Sequence, residues 1–320
     1  MDSLSDASFS FFAVSDLHII GKAQGKSALK RQLAWRWLQS QPFAFGLFAG
    51  DITNGAQANE FAIARQETAA VAATLPLLFG YGNRDYIANS PGETASAESR
   101  NAFSAWWRSQ AAKNGADVVS PAGAPYWSAR VRGVQIVCLD CARDYPHSRA
   151  GEAQLCWLDE QLTQSDGERF RIVMSHFPLN DHVPGRMSRK QLCYVSDSKR
   201  QQDILNRHGR LLLFTGHTHN PLENVAPSVE TDAERRIAYL NTASIGNTMP
   251  NSVMIKELRR QLWQTDVQAQ RQIIQAQIDA LNQSGSMGLC MDVTPNEIVV
   301  RGIDFLTGEY CAQCAFRIDL

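Results

Sequence analysis

Phe9-Ser10-Phe11-Phe12-Ala13-Val14 runs directly into Ser15-Asp16-Leu17-His18. A short apolar run of this kind reads as a buried strand, and the polar residues after it read as the loop at its carboxyl end. Four other runs end the same way. Ala44–Ala49 leads into Gly50-Asp51, and Leu75–Tyr81 into Gly82-Asn83-Arg84-Asp85. Phe170–Met174 leads into Ser175-His176, and Leu211–Thr215 into Gly216-His217-Thr218-His219. In α/β folds, loops at the carboxyl ends of strands are where ligands gather. The five loops therefore predict one shared site.

Val134–Leu139 reads as a further strand. Nearly continuous apolar runs predict strands buried on both faces, under helices. Helical patterns lie between them: Ser27, as a cap, to Gln39; Asn59 to Thr74; Ser96 to Asn114; and Ala150 to Thr163, with Leu155, Leu158 and Leu162 at helical spacing. The alternation predicts an α/β fold. After Gly246 the chain changes character. Asn251 to Gln283 is Gln-rich and reads as one long helix with a broken stripe of Leu258, Leu262, Ile274, Ile278 and Leu281, stopped near Gly285. The tail returns to strands at Gly288–Val293, Glu297–Phe305 and Tyr310–Ile318. The simplest division is a catalytic domain over 1–250, a helical insertion over 251–285, and C-terminal strands over 286–320 that form a β-hairpin and complete the sheet layers.

The chain has 320 residues, 44% of them hydrophobic, and a formal net charge of −1. A non-specific nucleic-acid binder carries a basic excess, so the charge argues against nucleic acid as a partner. No apolar stretch reaches membrane-spanning length, and Met1 to Ser8 lacks the basic and apolar regions of a signal peptide. The expectation is a cytoplasmic protein with no membrane partner. The seven cysteines are an odd number, and several sit in apolar runs, which suits buried thiols in a reducing compartment. Cys138/Cys141 and Cys311/Cys314 lack zinc-ribbon spacing.

The five loops supply four imidazoles (His18, His176, His217, His219), two carboxylates (Asp16, Asp51) and one amide oxygen (Asn83). Mixed nitrogen and oxygen donors suit Mn, Fe or Zn better than Ca. Seven protein ligands are too many for one metal that keeps an open position. With one carboxylate bridging they suffice for a two-metal centre of about 3.5–4 Å separation. Asp-x-His and His-x-His place alternate side chains on one side of an extended segment. Taken singly, a Gly-Asp or Gly-Asn is a turn and a lone His is a satisfied surface or core residue. Five such motifs, each behind an apolar run, are hard to obtain by chance.

Several features have bland readings. Gly21 to Ser27 imitates a P-loop, but the first required Gly falls on Ile20, leaving a turn and a helix start. Trp106-Trp107 reads as core packing. His147 and His208 read as bystanders. Arg143, Arg186 and Arg189 could recognise substrate but read first as solvated charges. His182, six positions after His176, is a candidate proton donor whose bland reading is a solvent-exposed loop histidine.

Asp16-x-His18, Gly50-Asp51, Gly82-Asn83, His176 and Gly216-His217-x-His219, in this order, resemble the calcineurin-like metallophosphoesterase superfamily over about Phe9 to Ala243. The resemblance implies a four-layer α/β/β/α sandwich. It implies that Asp16, His18 and His219 hold one metal, that Asn83, His176 and His217 hold the second, and that Asp51 bridges. Asn241 resembles the family's post-site turn, shaping the loop. With Gly151-x-x-Gln154-Leu155-x-Trp157-Leu158, the overall look is closest to bacterial cyclic-nucleotide and glycerophosphodiester phosphodiesterases. One position departs: most members have His where this chain has Arg84. Arginine cannot act as a general acid near neutral pH, because its pKa exceeds about 12, but it can hold phosphate oxygens bidentately.

The expected function is therefore a dinuclear-metal phosphohydrolase, most simply a phosphodiesterase on a small nucleotide or glycerophosphodiester, with a metal-bridging hydroxide as nucleophile. Arg84 is expected to clamp the phosphoryl group and Asp85 to orient it. Gly-Asn-Arg-Asp also resembles bacterial UDP-diacylglucosamine pyrophosphatases, which makes a nucleotide-sugar phosphoanhydride the alternative substrate. A metal-binding interaction scaffold is the non-enzyme alternative, with the 251–283 helix docking a partner or a second copy of the chain.

Overall fold

The computed structural model describes residues 8–21, 26–88, 94–143, 147–166, 168–182, 194–222, 229–246, 259–281 and 285–319. The expected α/β character is observed: two sheets flanked by helices. The first sheet is built on β1 (Phe9–Val14), β2 (Phe43–Ala49) and β3 (Leu77–Gly80). They are parallel neighbours, with Val14 opposite Phe48 and Ala49 opposite Gly80. Their carboxyl ends therefore emerge side by side.

The second sheet begins with β4 (Asp117–Val119), β5 (Trp127–Val131) and β6 (Val134–Cys138). A small pair, β7 (His147–Ser148) and β9 (Tyr194–Val195), lies apart from it. The sheet continues through β8 (Arg171–Met174), β10 (Leu211–Thr215), β11 (Val229–Asp232) and β12 (Ile237–Asn241), in the order β11-β12-β10-β8-β6-β5-β4. β6, β8, β10 and β12 run parallel, so these strands too end at one edge. Phe11 of the first sheet meets Phe214 of the second edge-on at 6.0 Å. The two sheets thus share a buried apolar interior, to which Phe45, Ile136, Ile172 and Met174 also belong.

Helices close both outer faces. α1 (Lys26–Gln39), α2 (Ala58–Ala72) and α3 (Ala97–Lys113) contribute Trp35, Phe61, Phe103 and Trp107 to the packing around Phe48 and Phe79. Trp107 is buried 5.4 Å from Trp127, so the Trp pair contributes to the core as expected. α4 (Glu152–Gln164) and α5 (Ser198–His208) cover the second sheet. There Leu155, Leu158, Leu162, Ile204 and Leu205 pack on Val137, Val173 and Leu213. Leucines spaced three and four apart present one stripe to the sheet, which is why α4 forms where its pattern predicts.

The structure corrects three expectations. Ser27 is not a helix cap but lies inside α1, where its hydroxyl accepts a hydrogen bond from Arg31 one turn later, at 2.8 Å. The 251–283 segment is not one helix: 259–264 is helical, 265–267 is not, and α6 (Gln268–Leu281) follows. At this break the Arg271 guanidinium donates to the carbonyls of Leu262 and Thr265 and so satisfies the exposed end of the first piece. Residues 251–258 and 282–283 lie outside the described residues. The tail is a three-stranded antiparallel meander rather than a hairpin: β13 (Met287–Val293), β14 (Glu297–Asp304) and β15 (Glu309–Asp319), with β13 pairing against β1. Cys138, Cys141, Cys290 and Cys314 are buried thiols outside any disulfide. No described helix is long and apolar enough to cross a membrane.

Candidate metal centre

Five candidate ligands sit at left-handed backbone angles: Asp16 (φ 54°), His18 (45°), Asp51 (51°), His217 (70°) and His219 (53°). Non-glycine residues adopt this region at a cost, and such strain clusters at functional sites. The cost is offset by ladder-like bonds between the loops. Asp16 N–H donates to Gly50 O, His18 N–H to Asp51 O, and Gly216 N–H to His176 O. Gly50 and Gly82 make the close approach possible. A Cβ at Gly50 would lie 2.7 Å from both the Gly82 nitrogen and Nδ1 of His176.

The side chains converge in two groups. Asp16, His18 and His219 form the first. Nε2 of His219 lies 3.1 Å and Nε2 of His18 lies 3.6 Å from Oδ1 of Asp16, and the two Nε2 atoms are 2.9 Å apart. Asp51, His176 and His217 form the second, with His176 Nε2 3.5 Å from Asp51 Oδ2 and 3.2 Å from His217 Nδ1. The same Oδ2 atom is 3.7 Å from Nε2 of His18, so Asp51 stands between the groups. Asn83 lies beside it on the turn after Gly82, buried.

The donor set fits a cation. Oδ1 of Asp16 and Oδ1 of Asn83 are buried and accept no hydrogen bond, a costly state for polar oxygens unless something else fills it. The other atoms of the ligands are tied down. Nδ1 of His176 donates to the Ala49 carbonyl at 2.8 Å, leaving Nε2 facing inward. Nδ1 of His18 pairs with Oδ1 of Asn54 at 3.2 Å. Oδ2 of Asp16 accepts from Ser15 Oγ and from the His217 N–H. Such outer partners fix the tautomer and orientation of metal ligands. Sequence reasoning missed Asn54, Ser15 and the Ala49 carbonyl; their signal is only adjacency to a ligand, which many bystanders share.

The charges are strongly interdependent. Burial drives the Asp16 carboxyl upward, but His219, His18 and His176 more than offset this and hold it well below the usual carboxylate range. Asp51 is lowered against burial by His176 and His18. Burial lowers His176, yet Asp51 and Asp16 carry it up to about 9. Burial and the neighbouring His176 lower His217 to about 3.

Asn241 shapes the histidine loop, as expected. Its amide donates to the Gly216 and Thr215 carbonyls, and its Oδ1 accepts from Thr218 Oγ1 at 3.1 Å and from Ala243 N–H. Two other expectations change. The Asp85 carboxylate, expected beside the Arg84 guanidinium, has partners the sequence did not suggest. It is buried and accepts from Ile52 N–H, Gly82 N–H, Thr53 N–H and Thr53 Oγ1, so it pins one ligand loop to the other. His182 is not a bare loop residue: its ring stacks on Tyr239 at 4.0 Å and its Nδ1 meets Glu230 at 3.1 Å. That seat is on the α5 side of the second sheet, where Tyr239 packs. His208 is bound to Asp159 at 2.6 Å, and Arg143 is an exposed residue 4.0 Å from Asp140. His147 lies in β7, and Arg186 and Arg189 lie outside the described residues.

No curated protein matches the chain in sequence. Among solved structures, purple acid phosphatase PPD1 from yellow lupin (Lupinus luteus) seeds superposes with a TM-score of 0.61 at 10% identity, over 99% of this chain and 54% of its own. The chain thus spans about half the length of that phosphatase. GAP50, the anchor in the inner membrane complex of Plasmodium, superposes with a TM-score of 0.53 at 12% identity, over 98% of this chain and 89% of its own. At such identities the likeness is one of fold. Sequence speaks for the family itself: residues 9–221, which carry every one of the converging donors, match the calcineurin-like phosphoesterases, and the chain belongs to that family.

Proposed function

We propose that the chain is a two-metal phosphodiesterase acting on a small nucleotide or glycerophosphodiester. The observation that carries this reading is the pair of donor groups with Asp51 standing between them. Asp16, His18 and His219 would hold one divalent ion, Asn83, His176 and His217 the other, with Mn, Fe or Zn suiting the donors. Such ions supply Lewis acidity to a phosphoryl oxygen and acidify a water molecule. The chain's own contribution is to hold these donors rigid, through Asn54, the Ala49 carbonyl and Asn241, so that no reorganisation is needed at the moment of reaction. Arg84, exposed at the rim of the centre, would grip non-bridging phosphate oxygens with its planar donor fork.

Arg84 also favours a second reading. Since it cannot protonate a leaving alkoxide, a phosphoanhydride, whose leaving phosphate needs no proton, is the alternative substrate. Elemental analysis and a substrate panel test both. With Mn supplied, bis-(p-nitrophenyl) phosphate is expected to turn over faster than p-nitrophenyl phosphate. Preference for a UDP-sugar pyrophosphate would select the alternative. Bound metal without turnover on any ester or anhydride would defeat both and favour a scaffold.

A further inference from the structure

The two oxygens of the Asp16 carboxylate have different surroundings. Oδ1 is buried, accepts no hydrogen bond, and lies 3.1 Å from Nε2 of His219 and 3.6 Å from Nε2 of His18. Oδ2 accepts from the His217 N–H at 2.9 Å and from the Ser15 hydroxyl. That side is tightly walled. A Cβ at Gly216 would lie 2.7 Å from Oδ2 and 2.6 Å from Ser15 Oγ, so nothing larger than hydrogen fits there.

The Ser15 hydroxyl has a partner behind it. Thr242 Oγ1 donates to Ser15 Oγ at 2.7 Å, a closer acceptor than the Thr215 carbonyl at 3.1 Å. Ser15 has one proton and two acceptors in reach, Asp16 Oδ2 and the Ala243 carbonyl at 2.8 Å. A hydrogen bond to a charged acceptor is roughly twice as strong as one to a neutral acceptor, so the carboxylate takes the proton's bond. The Ser15 oxygen is then left to accept from Thr242. Ser15, Asp16 and Thr242 are fully buried, so bulk water does not compete.

The backbone sets the spacing of the two hydroxyls. Thr242 N–H donates to the Thr215 carbonyl at 2.9 Å, which fixes Thr242 to the end of β10. Ile245 N–H donates to the Ser15 carbonyl at 3.1 Å and Gly246 N–H to the Asp16 carbonyl at 3.0 Å, which fixes the ligand loop of the first sheet to the same segment. The Ser244 hydroxyl adds a bond to the Asp16 carbonyl at 2.9 Å.

We propose that the Thr242–Ser15 hydroxyl chain holds back one oxygen of Asp16 and thereby sets which metal the first donor group prefers. The inference rests on the metal-centre reading above and adds a selectivity to it. A carboxylate with both oxygens available supplies two ligands, and one with an oxygen held back supplies one. Zinc is satisfied by four ligands, and imidazole suits it. Manganese is better served by added oxygen ligands. A single-oxygen Asp16 beside His18 and His219 therefore favours zinc over manganese. Ser15 and Thr242 act through Asp16, so they are positioning residues.

The test is competitive binding of Zn and Mn to the full chain, read by equilibrium dialysis against a chelator. The wild type is expected to bind two equivalents, one for each donor group. Ser15→Ala is expected to lower the zinc-over-manganese preference of one equivalent and leave the other unchanged. The His217 N–H still holds Oδ2 in this variant, so the shift belongs at the low end for loss of a partner behind a ligand, roughly tenfold. Thr242→Val keeps the side-chain shape without the hydroxyl, and is expected to shift the same equivalent the same way by less. Thr242→Ser is expected to keep the wild-type preference. Simple loosening of the loop would weaken both ions alike, and that result overturns the proposal. An unchanged preference in Ser15→Ala or in Thr242→Val overturns it too. If Ser15→Ala does not fold, the two Thr242 variants carry the same test. A wild type that binds no metal overturns the metal-centre reading and the selectivity together, whereas two equivalents indifferent to both hydroxyls overturn the selectivity alone.

Discussion

Arg84 donates its backbone N–H to Oδ1 of Asp51 at 2.8 Å, while its side chain stands exposed. The position that departs from the commonest family pattern is thus tied to the Asp51 carboxylate through an atom every residue but proline possesses. Main chain and side chain have separable tasks. Arg84→Ala is expected to keep its metal content and lose about 10²–10³ in kcat, the range for removing one preorganised oxyanion donor. Elemental analysis and bis-(p-nitrophenyl) phosphate kinetics on the same sample check this. Undiminished kcat would remove Arg84 from the chemistry.

Metal binding should release a proton from His176. Its imidazole is carried up to about 9 by Asp51 and Asp16, so in the metal-free protein at pH 7 it is mainly protonated. A metal takes the nitrogen lone pair and expels that proton. Affinity should therefore rise with pH and level off above about 9. Because the folded value lies above the ordinary 6.5, His176 stabilises the metal-free fold fully below about 6.5 and loses that contribution as pH climbs through 9. His217, lowered to about 3, is already neutral and adds no proton. Calorimetry in buffers of different ionisation enthalpy counts the protons. A count of zero at pH 7 would contradict the His176–Asp51 pairing.

Asp85→Ala tests the loop pin. The carboxylate accepts three backbone N–H groups and the Thr53 hydroxyl in a buried setting. Leaving buried donors unsatisfied costs ~1–3 kcal/mol each, so a loss of roughly 3–6 kcal/mol in stability is expected, read as a fall in the urea midpoint. Asp85→Asn, which keeps one acceptor oxygen, should lose less. Equal stability of Asp85→Ala and wild type would show that the loops hold without it.

The strands and donors were legible because they depend on local pattern. β1 and β10 begin and end where their apolar runs do, and each ligand follows such a run. What was not legible depends on partners distant in sequence. Asp85 looks like a substrate-side residue until Thr53, 32 positions away, is seen to bond it. β12 supplies Asn241 to the histidine loop, yet its run Ile237–Asn241 is short and followed at once by polar residues. At the break over 265–267, Arg271 reaches back to carbonyls it does not neighbour.

Gly82→Ala probes how closely the two metals depend on one carboxylate. Gly82 is buried at an ordinary extended φ of −107°, so its backbone conformation alone does not require glycine. Space does. A Cβ there would overlap Oδ1 of Asp51 and sit 2.5 Å from its backbone nitrogen, neither of which is the loose end of a long side chain. Gly82 N–H is also held by Asp85 Oδ2 at 2.9 Å, so the turn cannot simply back away. The added methyl must therefore displace Asp51, whose Oδ2 stands between the donor groups, 3.7 Å from His18 Nε2 and 3.5 Å from His176 Nε2. The expected result is loss of both metals together, not one, in a protein that still folds. Gly133→Ala is the control: its φ of +76° costs about 1 kcal/mol of strain but a Cβ there meets nothing within 4 Å, so metal content should hold. Metal-to-protein ratios for the two variants settle the matter. A Gly82→Ala protein that retained one metal per chain would show that the two groups fill independently and that Asp51 does not bridge them.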